Sequence, residues 1–182
     1  MTRKRSPEAL AARRAARGEI DDSAVVLDAA AAFLAVRPRS IDETRRRLRH
    51  LGYRHALVDQ VIDRLLELGY LDDAQFARLW IESRDRARPR GESALRRELT
   101  LKGVSREVID EVLHDRSDEA SDSKGEGADA AAAGRLLERR RAALERESDP
   151  RRRRHRAYAL LARSGFDPEV CRDATVAWLA DD

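Results

Sequence analysis

Arginine is the residue whose abundance and spacing in this sequence most suggest chemistry, and that chemistry is the binding of anions. Arginines cluster from Arg45 to Arg49 and from Arg151 to Arg156, whereas acidic residues gather from Asp115 to Asp129. The net charge is only +3, so the distribution of charge matters more than its sum. Local basic patches of this kind indicate a polyanionic partner or an acidic protein surface, although arginines also coat solvated helix faces.

Side chains that could catalyse a reaction or bind a metal show no matching pattern. The four histidines lack the spacing of metal ligands, and the sequence has neither a glycine-rich phosphate loop nor an H-E-x-x-H motif. Cys171 falls on a predicted apolar helix face, which favours a buried thiol over a nucleophile. Asp72 and Asp73 could hold a metal, but a helix cap explains the pair better. The sequence therefore predicts no catalytic residue, cofactor or metal site, and a protein that is not an enzyme.

The composition indicates a soluble protein. Of its 182 residues, 39% are charged, and the mean hydropathy is −0.67. No apolar run approaches the roughly 18 residues that a membrane span requires, and the basic amino-terminal segment lacks the apolar centre of a signal peptide. The single cysteine excludes an internal disulfide framework. We expect a cytoplasmic monomer with no membrane partner.

A proline, an arginine-rich stretch, a leucine and a glycine recur at a fixed distance along the chain. Residues 37–53 and 88–104 are related by an offset of 51. The first copy opens with Ser40 and Glu43 at capping-box spacing and ends at Gly52, where a left-handed turn is expected. Four such helix ends are predicted, each with an apolar residue after its glycine that packs on the helix. The pairs are Gly52 with Tyr53, Gly69 with Tyr70, Gly103 with Val104, and Gly165 with Phe166.

A further helix precedes and another follows each repeated helix, with caps predicted at Asp72, Asp129 and Asp167. The pattern predicts an all-α fold: a tandem, elongated array of three three-helix repeats, about nine helices in total. We assign residues 1–22 to a flexible basic arm, 23–71 and 72–114 to repeats 1 and 2, 115–128 to an acidic flexible linker, and 129–182 to repeat 3.

The basic positions recur with the fold. Arg45 and Arg46 correspond to Arg96 and Arg97 at the same offset, which favours a binding role, although duplication alone would also copy them. In the third repeat the arginines gather at a helix start, where they could form an anion site or simply be offset by nearby acids. The candidate partner-binding residues are Arg37, Arg39, Arg45, Arg46, Arg49, Arg88, Arg90, Arg96, Arg97, Arg151, Arg152, Arg153 and Arg154.

The stretch LLELGYLDDAQFARLWIESRDRARPRGESALRRELTLKGVSREVIDEVL, residues 65–113, closely resembles the RecX family of bacterial regulatory proteins. Its most specific features are the run L-G-Y-L-D-D-x-x-F-A-x-x-W and the following P-R-G-x-x-x-L-x-x-E-L-x-x-K-G. The likeness is strong over residues 26–114 and weaker over 129–179. The amino-terminal arm and the acidic insertion depart from the family pattern, so nothing is carried onto them.

The resemblance implies an array of three-helix repeats and a modulator of the recombinase RecA that acts in DNA repair, recombination and the SOS response. Such a protein would lie in the groove of the RecA–single-stranded-DNA filament and interfere with filament growth, ATP hydrolysis and strand exchange. Inhibition is the expected direction, and direct contact with the DNA backbone is left open. The alternative is an autonomous helical nucleic-acid-binding module. With eight aromatic residues in the whole chain, a base-stacking platform is not expected, but phosphate contacts are.

Overall fold

All the regular structure in the described part of the chain is helical. The structure is a computed structural model that describes residues 6–124 and 127–180, without the side chains of residues 121–124. No strand occurs in those ranges, and none of their helices is both long and apolar enough to cross a membrane. The helices are α1 (Pro7–Gly18), α2 (Ser23–Leu34), α3 (Ile41–Leu51), α4 (His55–Glu67), α5 (Asp73–Ala87), α6 (Glu92–Leu101), α7 (Arg106–Lys124), α8 (Ala128–Leu144), α9 (Pro150–Arg163) and α10 (Pro168–Ala180).

The helix ends follow the sequence signals closely. Ser40 and Glu43 form the predicted capping box at the start of α3, and the Asp72 carboxylate accepts from the first amides of α5. All four predicted glycines are left-handed, with φ between 70° and 108°. One detail of the prediction is wrong: Tyr70 does not pack on its helix, because its side chain is 69% exposed and Leu71 enters the core in its place.

Helix also occupies parts of the two segments that were assigned from the sequence to a flexible arm and a flexible linker. Residues 7–18 of the predicted arm form α1, with Ser6 as its N-cap, and the guanidinium of Arg17 donates to the carbonyl of Leu51 (3.3 Å). Helix α7 continues through residues 115–124 of the predicted linker, where the Arg116 side chain is bonded to Asp85 and Asp129. The remaining parts of both segments that fall at residues 1–5 and 125–126 lie outside the described residues.

Asp129 does not cap α8 as predicted. Gly127 occupies the N-cap position of α8, and no side chain caps the helix there. The Asp129 carboxylate instead accepts from the Glu92 amide (2.9 Å) and from Arg116 (2.8 Å). A carboxylate beside a helix start satisfies whichever donors are nearest, and here these belong to α6 and α7.

The chain divides into two compact units, each with its own core. The first comprises residues 6–76 and 102–104, and the second comprises 77–101 and 105–180 of the described chain. In the first, α2, α3 and α4 pack around a core that includes Val26, Leu48 and Ile62, each fully buried. In the second, α8, α9 and α10 enclose Leu137 and Cys171. Cys171 is fully buried, which confirms its predicted place in the core, and burial raises the pKa of its thiol.

In each unit, a serine hydroxyl is hydrogen-bonded to a backbone carbonyl at a glycine turn. In the first unit the Ser40 hydroxyl donates to the carbonyl of Lys102, at 2.5 Å. In the second unit the Ser93 hydroxyl donates to the carbonyl of Gly165, at 2.7 Å. A Cβ on Gly91 would overlap the backbone of Gly165. The two backbone segments approach this closely only because residue 91 is glycine.

Candidate anion-binding groove

The second unit carries an open groove whose charged lining is entirely arginine among the described residues. Its volume is about 630 Å³. The loop between α5 and α6 forms one wall, and α8 and the end of α9 form the others. We call it the basic groove. It is lined by Ala87, Arg88, Pro89, Arg90, Leu136, Arg139, Arg140, Leu160, Arg163 and Ser164.

Backbone contacts hold the loop that supplies Arg88 and Arg90. The Gly91 amide donates to the carbonyl of Ser164 (3.1 Å), and Pro89 is fully buried. From the opposite wall, the Arg139 guanidinium donates to the carbonyl of Ala87 (3.0 Å) and to the carbonyl of the preceding residue. The end of α5 has free carbonyls of this kind because a helix leaves its last four unpaired. The loop is therefore fixed at both ends.

Most of the positive charge in the basic groove is uncompensated. Arg88, Arg140 and Arg163 are exposed, and none of them forms an ion pair with another described residue. Arg90 lies 3.7 Å from Glu98, a carboxylate that also accepts from Trp80 and Arg84. Clustered guanidinium groups repel one another, and an anion in the groove would relieve that repulsion while accepting paired hydrogen bonds.

The arginines predicted on α3 are arranged differently, because each is matched with an acid of its own unit. Arg45 and Arg49 both donate to Asp59 on α4, at 3.2 and 3.1 Å. Arg46 pairs with Asp42 one turn earlier, at 2.5 Å. The recurring arginine at the start of this run therefore joins the repeated helix to the helix that follows it.

The two arginines before α3 are also engaged within the first unit. Arg37 lies 3.3 Å from Glu43, which also pairs with Lys102 at 2.7 Å. Burial would raise the pKa of Glu43, but the hydrogen bond and charge of Lys102, with the charge of Arg37, hold it below its ordinary value. Arg39 stacks on Phe33, 4.0 Å from the ring centre. Burial, then the charge of Arg37, lowers the pKa of Arg39.

In the second unit Arg96 repeats the role of Arg45. It bonds to Asp110 on α7 and to Glu92 one turn earlier on α6. The hydrogen bonds that Arg96 donates to Asp110 and Glu92 raise the pKa of Arg96, and the bond that Asp110 accepts from Arg96 lowers the pKa of Asp110. Arg97 differs from its neighbour, since it is exposed and has no ion pair among the described residues. It is the member of this pair that remains available to a partner.

The four arginines predicted at the start of α9 do not act together. The Asp149 carboxylate accepts from the amides of Arg151 and Arg152. These two amides are therefore not available to bind an anion. Arg152 also lies 3.8 Å from Asp149, and Arg153 donates to a backbone carbonyl. Arg151 and Arg154 are exposed on the side of the helix, where an anion could approach them.

Three groove residues, Arg139, Arg140 and Arg163, were absent from the sequence prediction. The run ERRR at residues 138–141 could have indicated two of them. Arg163 carries no local signal, because only the packing of α9 places it in the groove lining. The described residues contain no group of three or more histidine, cysteine, aspartate or glutamate side chains placed to hold a metal ion.

Comparison with known proteins identifies the family. The family model for the first three-helix domain of RecX matches residues 27–65, and the model for the second three-helix domain of RecX matches residues 72–113. Regulatory protein RecX from Chlorobium phaeobacteroides is 34% identical over 156 residues, which cover 84% of this chain and 92% of that protein. This chain belongs to the RecX family. Regulatory protein RecX from Mycobacterium ulcerans is 35% identical over 152 residues, 81% of either chain.

Solved RecX structures share the fold. The crystal structure of RecX from Lactobacillus salivarius superposes with a TM-score of 0.72 over 88% of this chain and 98% of that one, at 17% identity. A second crystal structure of regulatory protein RecX gives 0.69 over 98% and 79%, at 18% identity. The predicted all-helical fold of three-helix repeats and the predicted family are thus both confirmed.

Proposed function

We propose that this RecX-family protein binds the RecA–single-stranded-DNA filament in the filament groove and inhibits filament growth, ATP hydrolysis and strand exchange. The observation that carries the proposal is the basic groove. It has a volume of about 630 Å³, and its described lining includes five arginines and no acid. Such a surface attracts phosphates and acidic side chains, and a nucleoprotein filament presents both.

The basic groove suits a composite partner better than bare DNA. Guanidinium groups bind the phosphate backbone without reading sequence, whereas binding to bare single strands usually adds stacking on aromatic rings. Both tryptophans are engaged within the second unit. Trp178 is buried in the core, and Trp80 donates to Glu98 beneath the guanidinium of Arg84. The basic groove itself contains no aromatic residue among its described lining.

The predicted arginines take unequal parts in this proposal. Arg88 and Arg90 contribute through the basic groove, and the exposed Arg97 adds a further contact. Arg45, Arg49 and Arg96 serve mainly to join helices within their repeats, because each is bonded to an acid there. The recurrence of Arg45 and Arg96 thus has a structural cause. We assign Arg88 and Arg97 to the partner because both are exposed and neither forms an ion pair with another described residue.

Comparing two affinities tests the proposal against the autonomous nucleic-acid-binding alternative. The protein is titrated, at one fixed salt concentration, onto labelled single-stranded DNA alone and onto the same DNA coated with RecA. We expect binding to the filament to be at least about tenfold tighter, because the filament adds acidic protein surface to the phosphates. Equal affinity for the two would favour the autonomous module.

A further inference from the structure

A second basic site lies in repeat 3, where the charges of repeat 2 are inverted. In repeat 2, Arg96 is held between Glu92 on its own helix and Asp110 on the next. The offset between the two repeats is 62 residues, which aligns Gly103 with Gly165. At that offset Glu92 becomes Arg154, Arg96 becomes Tyr158, and Asp110 becomes Arg172. One cation between two carboxylates is thus replaced by two cations beside a phenol.

These inverted positions meet around a pocket between α9 and α10, with a volume of about 240 Å³. No acid is present among its described lining residues, and three of them are arginines that are exposed and form no ion pair within the described chain. At about 30 Å³ per water molecule, the pocket has room for a tetrahedral anion with waters around it. The lining residues are Arg151, Arg154, His155, Tyr158, Arg172 and Thr175.

Thr175 gives an independent indication of a ligand. The residue is 1% exposed, and its hydroxyl is buried without a hydrogen-bond partner among the described residues. The equivalent residues in repeats 1 and 2 are Ile62 and Leu113, which are buried and apolar. A buried hydroxyl without a partner is unfavourable, so its presence at a position that is otherwise apolar points to an acceptor that binds in the pocket.

We propose that this pocket binds a phosphate group. Arg154 on α9 and Arg172 on α10 donate charge-assisted hydrogen bonds to the phosphate oxygens. Arg151 adds positive charge, and the hydroxyls of Tyr158 and Thr175 donate to the remaining oxygens. The ligand binds beside α9 rather than at its start, because Asp149 already accepts from the first amides of that helix. The same chemistry suits free phosphate and a phosphodiester of a nucleic-acid backbone.

Nuclear magnetic resonance titration of the ¹⁵N-labelled full chain tests the site without RecA. Inorganic phosphate and the dinucleotide TpT, whose only phosphate is an internal diester, are added separately at constant ionic strength. Saturable shifts at the Tyr158 and Thr175 amides are expected with inorganic phosphate. Shifts of the same amides with TpT would identify backbone phosphate as a source, and their absence would restrict the site to free phosphate. Absence of saturable shifts with both probes would overturn the proposal.

Three variants locate the binding. Arg154→Gln with Arg172→Gln should weaken phosphate binding at least about tenfold, since two charge-assisted bonds are removed. Arg13→Gln with Arg14→Gln removes the same charge from exposed positions of α1 and should change the affinity by less than about twofold. Thr175→Val should weaken binding about threefold or more without lowering the melting temperature, because it removes an unsatisfied hydroxyl. Equal loss in both double variants, or unchanged affinity in Thr175→Val, would contradict the site as described.

Discussion

The Nε atom of Arg45 lies 3.2 Å from Oδ1 of Asp59. The same two positions are occupied 51 residues later by Arg96 and Asp110, which also form an ion pair. The bond joins the repeated helix to the next helix in both repeats. This shared geometry explains why an arginine recurs at these positions without reference to any partner.

Replacing Arg45 should therefore affect stability more than binding. We expect Arg45→Gln to lower the free energy of unfolding by about 0.5–1 kcal/mol, the value of a partly exposed ion pair, and to change affinity for the RecA filament less than about twofold. Urea denaturation and filament binding measure the two effects. A large loss of filament affinity at unchanged stability would show that Arg45 contacts the partner after all.

Arg116 should be far more important to stability than its surface neighbours. Its side chain is 12% exposed and bonded to Asp85 and Asp129, which joins α5, α7 and α8. Burial would lower its pKa, but the bonds and charges of the two carboxylates outweigh burial and raise it. Arg116→Gln leaves Asp129 without an ion pair and leaves Asp85 with only the longer pair to Arg135 (3.5 Å), so we expect a loss of roughly 2–4 kcal/mol in urea denaturation.

Arg106→Gln is the control for that measurement, because the Arg106 side chain is 86% exposed. It should leave the unfolding midpoint nearly unchanged. If Arg116→Gln costs no more stability than this control, the three helices are held together by apolar packing alone.

Two glycine substitutions should have opposite effects. Gly91→Ala introduces a Cβ that would overlap the backbone of Gly165, and we expect a loss of about 1–3 kcal/mol from the forced displacement. Gly134 lies within α8 with open space where its Cβ would be, so Gly134→Ala should gain about 0.5–1 kcal/mol. Thermal unfolding measures both. A gain in stability for Gly91→Ala would mean that the loop before α6 does not require the close approach.

Asp73 makes stability depend on pH. It accepts from the Ile41 amide at 2.9 Å. Burial raises its pKa, the hydrogen bond from Ile41 opposes this, and the charges of Asp72 and Asp42 raise it further. The folded state therefore binds this proton more tightly than the unfolded state, so the group's contribution to stability falls as pH rises through the window just above the ordinary aspartate pKa.

Asp73→Asn keeps an acceptor for the Ile41 amide and removes the charge. We expect it to be more stable than the parent at pH 7, with an advantage that shrinks as the pH falls through that window. Asp73→Ala is the control, since it removes the acceptor and should be less stable than Asp73→Asn at every pH. Unfolding curves measured between pH 3 and 8 would contradict this assignment if the advantage of Asp73→Asn grew toward acid pH.

Features encoded within one or two helical turns could be predicted from sequence. The capping box of Ser40 and Glu43 and the left-handed turn at Gly165 depend on neighbouring residues, and both are present. Arg88 and Arg90 were predicted as binding residues from the repeat alone. Tyr70 was misjudged because the turn after Gly69 can direct either of the next two residues inward, and only the surrounding packing selects Leu71.

The rest of the candidate site depends on contacts between residues distant in sequence. Asp129 has the type and position of an N-cap, yet it bonds to Arg116 and the Glu92 amide, which only the folded chain brings to it. The same holds for the basic groove, because the packing of helix ends places Arg163 and Arg88 in the lining of one groove. Sequence spacing identified basic residues, but it could not show which of them an internal acid would neutralise.

RecA's DNA-dependent ATPase, with purified protein titrated in, tests the central proposal most directly. The parent is compared with Arg140→Gln/Arg163→Gln in the basic groove and with Arg13→Gln/Arg14→Gln, which removes equal charge from α1. We expect the parent and the α1 variant to inhibit at similar concentrations. The groove variant should require at least about tenfold more protein and show a weaker dependence on salt. Half-inhibition by the groove variant at the parent's concentration would contradict the proposed role of the basic groove, and failure of the parent to slow ATP hydrolysis would contradict inhibition itself.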